Sequence, residues 1–286
     1  MKCHACGAPL FPSVLNLGNI PLVDRYRKDK DKALKTPTSP LSLHQCSKCK
    51  TYQIKEIVDP EQLYSDYIYN SSSSKDLSEH FDEYINFLNT KINLPKDARI
   101  LEIGGNDGLL LKKLYDKGFH DLTVIDPAPQ VKNCESFSTV YREHFGSNKS
   151  KEILGNQEKF DLVIANNCLA HIPKLKDIFD LIEKSIRSNG YLIFEVNSLY
   201  HQVINDVFDY IYHEHIFYHS VTSLEKLLSL SNFFINNIKI VPTKGGSLRV
   251  ICSKNKTQSY SLNYWKIKEK SIDLHEKNPL IFKSLN

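Results

Sequence analysis

The sequence predicts an α/β protein: a doubly wound, Rossmann-like sheet preceded by a small zinc-binding module. Three observations carry this expectation. Two C-x-x-C pairs, Cys3/Cys6 and Cys46/Cys49, stand in the first fifty residues. From Ala98 onward, short apolar runs alternate with helical apolar periods, the rhythm of a sheet with helices on both faces. The first run leads into Glu102-Ile103-Gly104-Gly105-Asn106-Asp107-Gly108, and the second ends in Asp126-Pro127. A strand, a glycine loop, a helix and a second strand ending in an acid place a ligand at the carboxyl ends of the strands.

The four-cysteine module spans residues 1–55. In a reducing compartment two C-x-x-C knuckles argue for a tetrahedral metal site rather than disulfides. Four sulfurs close the coordination sphere, so zinc on Cys3, Cys6, Cys46 and Cys49 is expected to be structural. His4 and His44 are alternative ligands that four thiols make unnecessary. A redox pair is disfavoured because no βαβ pattern surrounds either C-x-x-C. Lys28 to Lys35 reads as a charged loop.

Residues 56–97 read as a helical connector. Asp59-Pro60-Glu61 starts one helix, and Leu77, Phe81, Tyr84, Ile85 and Leu88 mark another. The serine run from Ser71 to Ser74 between them reads as a flexible linker. Residues 98–255 form the α/β domain. Its expected strands are 99–103, 122–125, 160–165, 191–196, 233–241 and 248–252. Leu109 to Lys117 is a helix closed by Gly118. A second helical stripe runs from Leu175 through Ile186 to a stop at Asn189-Gly190. Thr222-x-x-Glu225 reads as a capping box for a third. Residues 256–286 are a C-terminal extension.

Composition narrows the function. The chain has 286 residues, 41% of them hydrophobic, which supports a core and excludes wholesale disorder. The formal net charge is +4 with scattered lysines, so nothing suggests a nucleic-acid surface. No apolar run spans a bilayer, and Met1-Lys2-Cys3-His4 lacks a signal-peptide core. The expectation is a cytoplasmic protein with no nucleic-acid and no membrane partner.

The glycine loop leaves NAD and S-adenosylmethionine both open. However, it lacks the G-x-G-x-x-G spacing that seats a pyrophosphate on a helix N-terminus. Glu102, two residues before Gly104, suits the cationic amino group of S-adenosylmethionine, and Asp126 suits ribose hydroxyls. The bland alternatives are a salt-bridge role for Glu102 and a capping role for Asp126.

With these residues in view, the chain resembles the zinc-containing sugar C-methyltransferases of deoxysugar biosynthesis. The matching stretches are Cys3-x-x-Cys6-Gly7, Pro21-Leu22, Cys46-x-x-Cys49, Asp66-Tyr67-Ile68-Tyr69, Leu101 to Gly108, Asp126-Pro127-Ala128, Asn167 to Ile172, Tyr212-His213-Glu214-His215 and Lys244-Gly245-Gly246-Ser247-Leu248-Arg249. The resemblance implies a class I S-adenosylmethionine methyltransferase domain acting on a nucleotide-linked 4-keto sugar. It implies cofactor contacts at Glu102, Gly104, Asn106, Asp126, Pro127, Asn167, His171, Tyr69 and Ser71. Family members continue for roughly another domain's length, so a partner chain supplying that lobe is a further expectation. Gly105 stands where the family often has serine, an exchange expected to be neutral.

Methylating carbon beside a ketone needs a base for the α-proton and a donor for the enolate oxygen. By resemblance His215 is the base, Tyr212 the acid or enolate donor, and Glu214 an orienting or sugar-binding group. His213 is the alternative base. In an extended segment Tyr212 and Glu214 would face away from His213 and His215, whereas a turn would change that. His171 is either a local hydrogen-bonding residue or part of the cofactor mouth. Lys244 to Arg249 reads as a turn entering a strand, close to substrate. Three competing functions stay open: O-methylation of a sugar in a surface-polysaccharide precursor, RNA methylation, and a non-catalytic binding role. Against RNA, the loop after the 160–165 strand reads Asn166-Asn167-Cys168-Leu169, not N-P-P-aromatic.

Overall fold

The computed structural model describes residues 1–23, 28–59 and 70–274. Four strands build the N-terminal sheet: β1 (Leu10–Pro21), β2 (Thr38–Cys46), β3 (Tyr52–Ile54) and β9 (Phe217–Tyr218), in that order. The last comes from far along the chain, directly after Tyr212-His213-Glu214-His215. It pairs antiparallel with β3 through Tyr52 opposite Tyr218 and Gln53 opposite Phe217. The charged loop contains a short helix, Lys30–Leu34, because the Asp29 side chain accepts from the Asp31 and Lys32 amides.

The second sheet has seven strands. They are β4 (Ile100–Ile103), β5 (Leu122–Ile125), β6 (Thr139–Tyr141), β7 (Phe160–Asn166), β8 (Ile186–Asn197), β10 (Phe234–Val241) and β11 (Ser247–Ser253). Their order is β10-β11-β8-β7-β4-β5-β6. Pairing is parallel from β6 across to β8, and β11 runs antiparallel to both of its neighbours. Helices cover the faces: Leu109–Asp116 and Lys75–Lys91 on one, Leu175–Ser185 and Val221–Ser229 on the other. The cysteine module packs on the core of this sheet, since Cys3, Cys46 and Cys49 are buried in one cluster with Ile178, Leu169 and Phe217.

Three local readings are corrected. The stripe from Leu175 is helical only to Ser185; Ile186 already pairs with Phe160, and β8 runs through Asn189-Gly190. Tertiary pairing overrides the stop signal there, and a Cβ on Gly190 would lie 2.9 Å from the Asp161 carbonyl. The capping box is Ser220 with Ser223, each accepting from the other's amide, while Glu225 reaches Lys266 at 2.6 Å. The serine run is ordered: Ser71–Ser73 form a 3-10 turn and Ser74 caps helix Lys75–Lys91. Beyond the sequence reading, β1, β2, β3, β6 and helices Asn148–Gly155, Leu199–Ile204 and Tyr260–Ser271 are present. The helix predicted to start at Asp59-Pro60-Glu61 lies outside the described residues.

Candidate active site

The loops after β4, β5, β7 and β8 meet at one edge of the sheet. Asp126, at the end of β5, accepts from the Asn106 amide at 2.8 Å and the Ala128 amide at 2.7 Å. The carboxylate is thereby clamped to the glycine loop, with lone pairs left for two hydroxyls. Asn106 takes a left-handed φ of 52°, which asparagine tolerates better than most residues. Its Oδ1 accepts from the Ser71 amide at 3.0 Å, and Asp107 Oδ2 accepts from the Ser72 amide at 2.9 Å. The serine turn therefore lies across the glycine loop. Pro127 is exposed beside it.

Glu102 is 3% exposed, and its Oε2 has no hydrogen-bond partner. Burial first, then the charges of Asp126 and Asp107, push its carboxyl up to about 8. The buried Asn167 Oδ1 is likewise unpartnered. Orphaned acceptors at a glycine loop fit a ligand that brings its own donors. An ammonium group is such a donor, and it would draw Glu102 back to its ionised form. Gly105 lies against this group: a Cβ there would sit 2.7 Å from Val124 Cγ2 and 3.0 Å from Glu102 Oε2. A serine would not be neutral here, contrary to expectation, because Val124 fills the space.

The loop after β7 leads to the second cluster. Cys168 donates to the Ile103 carbonyl at 3.3 Å, and Leu169–His171 form a 3-10 turn. The Ile216 amide donates to the Ala170 carbonyl at 2.8 Å, which draws the segment before β9 alongside that turn. His171 and His215 consequently meet edge to face, 4.9 Å between ring centroids. The chain turns at Tyr212, whose carbonyl accepts from the His215 amide at 3.2 Å. This turn sets Tyr212 Oη 3.0 Å from His215 Nε2. His215 Nδ1 lies 3.0 Å from the Tyr210 carbonyl. A carbonyl only accepts, so Nδ1 carries the proton and Nε2 is the basic nitrogen. Burial holds His215 down at about 4 and His171 at about 3, so both rings are neutral near pH 7. His213 points elsewhere: it is fully buried, with Nε2 3.2 Å from the Ser39 carbonyl of β2. Glu214 is half-buried beside His171. Tyr69 lies outside the described residues.

Arg249 of the G-G-S-L-R stretch is not at this edge as a free cation. It is fully buried, donates to Glu195 Oε1 and Glu83 Oε2 at 2.6 Å each, and covers the Tyr84 ring at 4.3 Å. His80 Nε2 completes the set, 2.8 Å from Glu195 Oε2. Sequence reading missed this network because its members come from three separated segments.

The cysteine module is closed. Cys3 and Cys49 sulfurs are 3.9 Å apart, Cys6 and Cys46 3.5 Å, and all four lie within 4.8 Å of one another. Tetrahedral zinc with bonds of ~2.3 Å needs sulfur separations of about 3.8 Å. The Lys48 and Cys49 amides donate to Cys46 Sγ at 3.4 Å, the inward turn of a knuckle. Thiols Cys46 and Cys49 and burial push the Cys3 thiol far above its ordinary range, so four thiolates this close need a cation. The residues fit zinc.

Parallel sheet, glycine loop and strand-end acid define an S-adenosylmethionine-dependent methyltransferase. Comparison with known proteins agrees. A family model described as a methyltransferase domain matches residues 74–236, and one described as a zinc binding domain matches residues 3–64. The first covers more than half of the chain, which therefore belongs to the methyltransferase family. A C-methyltransferase, NovU of Streptomyces niveus, is 25% identical over 255 residues, covering 88% of this chain and 60% of its own length. The chain thus spans about three fifths of that relative. Among solved structures, magnesium protoporphyrin IX methyltransferase of Synechocystis with bound SAH aligns at TM-score 0.50 and 16% identity, over 68% of this chain and 92% of that one. A Pyrococcus horikoshii protein aligns at 0.53 and 13%, over 68% and 99%. Those two likenesses speak to the fold.

Proposed function

We propose that this methyltransferase acts on a carbon next to the ketone of a nucleotide-linked sugar. The observation that carries this reading is the Tyr212–His215–His171 cluster beside the cofactor loops. O-methylation of a hydroxyl needs one base. A ketone's α-carbon needs a base together with donors at the oxygen where charge develops. The cluster offers both: a neutral imidazole whose Nε2 accepts from the Tyr212 hydroxyl and takes a proton once that hydroxyl turns away, and the phenol itself, within reach of the same space.

In this reading Glu102 receives the amino group of S-adenosylmethionine and Asp126 its ribose hydroxyls. Asn106, Asn167 and the glycine loop shape the pocket, and Ser71 closes over it. When bound, the cofactor supplies an electrophilic methyl group. His215 Nε2 removes the α-proton, and Tyr212 moves its hydroxyl from Nε2 to the ketone oxygen. Glu214 and His171 orient the sugar and the base. His213 anchors the turn to β2 through Ser39. The C-methyltransferase relative supports carbon as the acceptor.

The test is NMR of nucleotide 4-keto sugars incubated with the protein in D2O, with and without S-adenosylmethionine. Exchange of an α-proton, then a methyl singlet on carbon, is the expected result, and both should vanish in His215→Ala. A methoxy signal on a reduced sugar without α-exchange would replace this reading with sugar O-methylation.

A further inference from the structure

His80 and Glu195 form a buried contact that the chemistry proposed above does not use. Their side chains are 7% and 0% exposed. His80 Nε2 lies 2.8 Å from Glu195 Oε2 and 3.0 Å from Oε1. An ionised carboxylate only accepts, so His80 donates through Nε2. Arg249 Nη2 stands farther off, at 3.3 Å, and brings only donors. The bond that Nε2 makes is therefore the one to Glu195. Arg249 Nε, 2.6 Å from Oε1, holds the same carboxylate from the other side.

Each member of the pair connects to one wall of the cofactor site. The Glu195 carbonyl accepts from the Asn167 amide at 2.9 Å. Asn167 takes a left-handed φ of 54°, and its buried Oδ1 is unpartnered. His80 belongs to helix Lys75–Lys91, which Ser74 caps directly after the serine turn. That turn, Ser71–Ser73, buries no residue of its own. It meets the glycine loop through the Ser71 and Ser72 amides, on Asn106 and Asp107. Residues 75–79 are exposed or half-buried, and Phe81 is the first fully buried residue of the helix. A segment with so few buried contacts has little local stability. Its place over the glycine loop depends on where the helix behind it is anchored, and the His80 side chain is the buried polar anchor nearest to it.

We propose that the His80–Glu195 bond is a positioning clamp for S-adenosylmethionine, holding the serine turn and Asn167 as two walls of one pocket. This rests on the reading that Ser71 closes over the cofactor. His80 touches neither cofactor nor acceptor and acts through the turn. Without the bond, a fraction of molecules hold the turn away from the loop, and the apparent affinity falls with the fraction that remains competent.

The test compares wild type with His80→Leu, His80→Asn and His80→Gln. Calorimetry reads S-adenosylmethionine binding, and hydrogen–deuterium exchange reads the amides of Ser71 and Ser72. Glutamine places a donor where Nε2 stands, whereas asparagine is too short to reach Glu195. The Kd is expected to rise about tenfold in His80→Leu and His80→Asn, the worth of one hydrogen bond to a carboxylate. His80→Gln should restore most of the affinity. Without cofactor, the Ser71 and Ser72 amides should exchange faster in the leucine and asparagine variants, with the amides of β7 and β8 unchanged. If His80→Leu fails to fold, the comparison of asparagine with glutamine decides alone. A lowered melting temperature with an unchanged Kd overturns the proposal, while protection of the serine amides by cofactor in wild type would leave the closing of the turn intact. Equal loss of affinity in all three variants would assign His80 to packing, which also overturns it. If cofactor gives those amides no protection in wild type, the closing of the turn and the clamp fall together.

Discussion

His215 has its two ring nitrogens committed in opposite senses. Nδ1 donates to the Tyr210 carbonyl, and Nε2 accepts from Tyr212. Burial keeps the ring neutral, with Lys244 adding to the effect and His171 stacked edge-on. A histidine with a lowered pKa is in its basic form above that pKa. Exchange of the acceptor's α-proton should therefore hold its rate from neutral pH down to about 5 and fall only as pH approaches about 4, where His215 protonates. A pH profile of exchange reads this directly. An acid limb near ~6.5, the ordinary imidazole value, would assign the titration to a solvated group instead. Gly105 supplies a second prediction at this scale. Gly105→Ser puts a Cβ against Val124 and Glu102, and overpacking of this kind costs about 1–3 kcal/mol. The melting temperature should fall, and S-adenosylmethionine should bind more weakly.

At the level of elements, helix Lys75–Lys91 is tied to the sheet by charge as well as by apolar packing. Its buried face includes Phe81, Tyr84, Ile85 and Leu88. Arg249 of β11 pairs with Glu195 of β8 in full burial and reaches out to Glu83 of the helix, which is partly exposed. The helix begins at Ser74, directly after the serine turn that lies on the glycine loop. Arg249 thus ties the helix that follows the serine turn to the sheet. Arg249→Met would leave Glu195 buried and short of its partner. Breaking a buried pair costs about 3–5 kcal/mol, so chemical denaturation should show a loss of that order, with a marginally folded protein at 37 °C.

For the whole molecule, the four-cysteine module and the Tyr212–His215 segment share one sheet. β9 completes the module's sheet, the Ile54 amide donates to the Ile216 carbonyl, and the Ile216 amide donates to Ala170 beside His171. The four-cysteine cluster belongs to the sheet whose last strand, β9, pairs with β3 and follows the Ile216–Ala170 bond beside His171 and His215. Stripping the metal with a chelator should abolish α-proton exchange while the seven-stranded sheet keeps its circular dichroism and its affinity for S-adenosylmethionine. Exchange that survives chelation would show that strand pairing with β3 and apolar packing hold β9 without the metal. No helix among the described residues is long and apolar enough to cross a membrane.

Much of this architecture was legible in the chain itself. The glycine loop, Asp126 and the paired C-x-x-C motifs are local patterns, because a loop's chemistry and a knuckle's turn are set by residues close together in sequence. The core strands were legible because a buried parallel strand is a continuous apolar run. Other features depended on distant partners. The serine run reads as a linker until the acceptors Asn106 and Asp107 are placed beside it, and Asn189-Gly190 reads as a stop until β7 pairs with β8. Tyr212-His213-Glu214-His215 could be recognised as a motif, but alternation along an extended strand would have set Tyr212 and His215 on opposite faces. A turn, locked by Ile216 between Ala170 and β3, aligns them and sends His213 to Ser39. Sequence alone determined the fold class, the zinc ligands and the residue types at the site. Tertiary structure decided which of those residues meet, because contacts between remote segments follow from sheet pairing and burial, which no local pattern encodes.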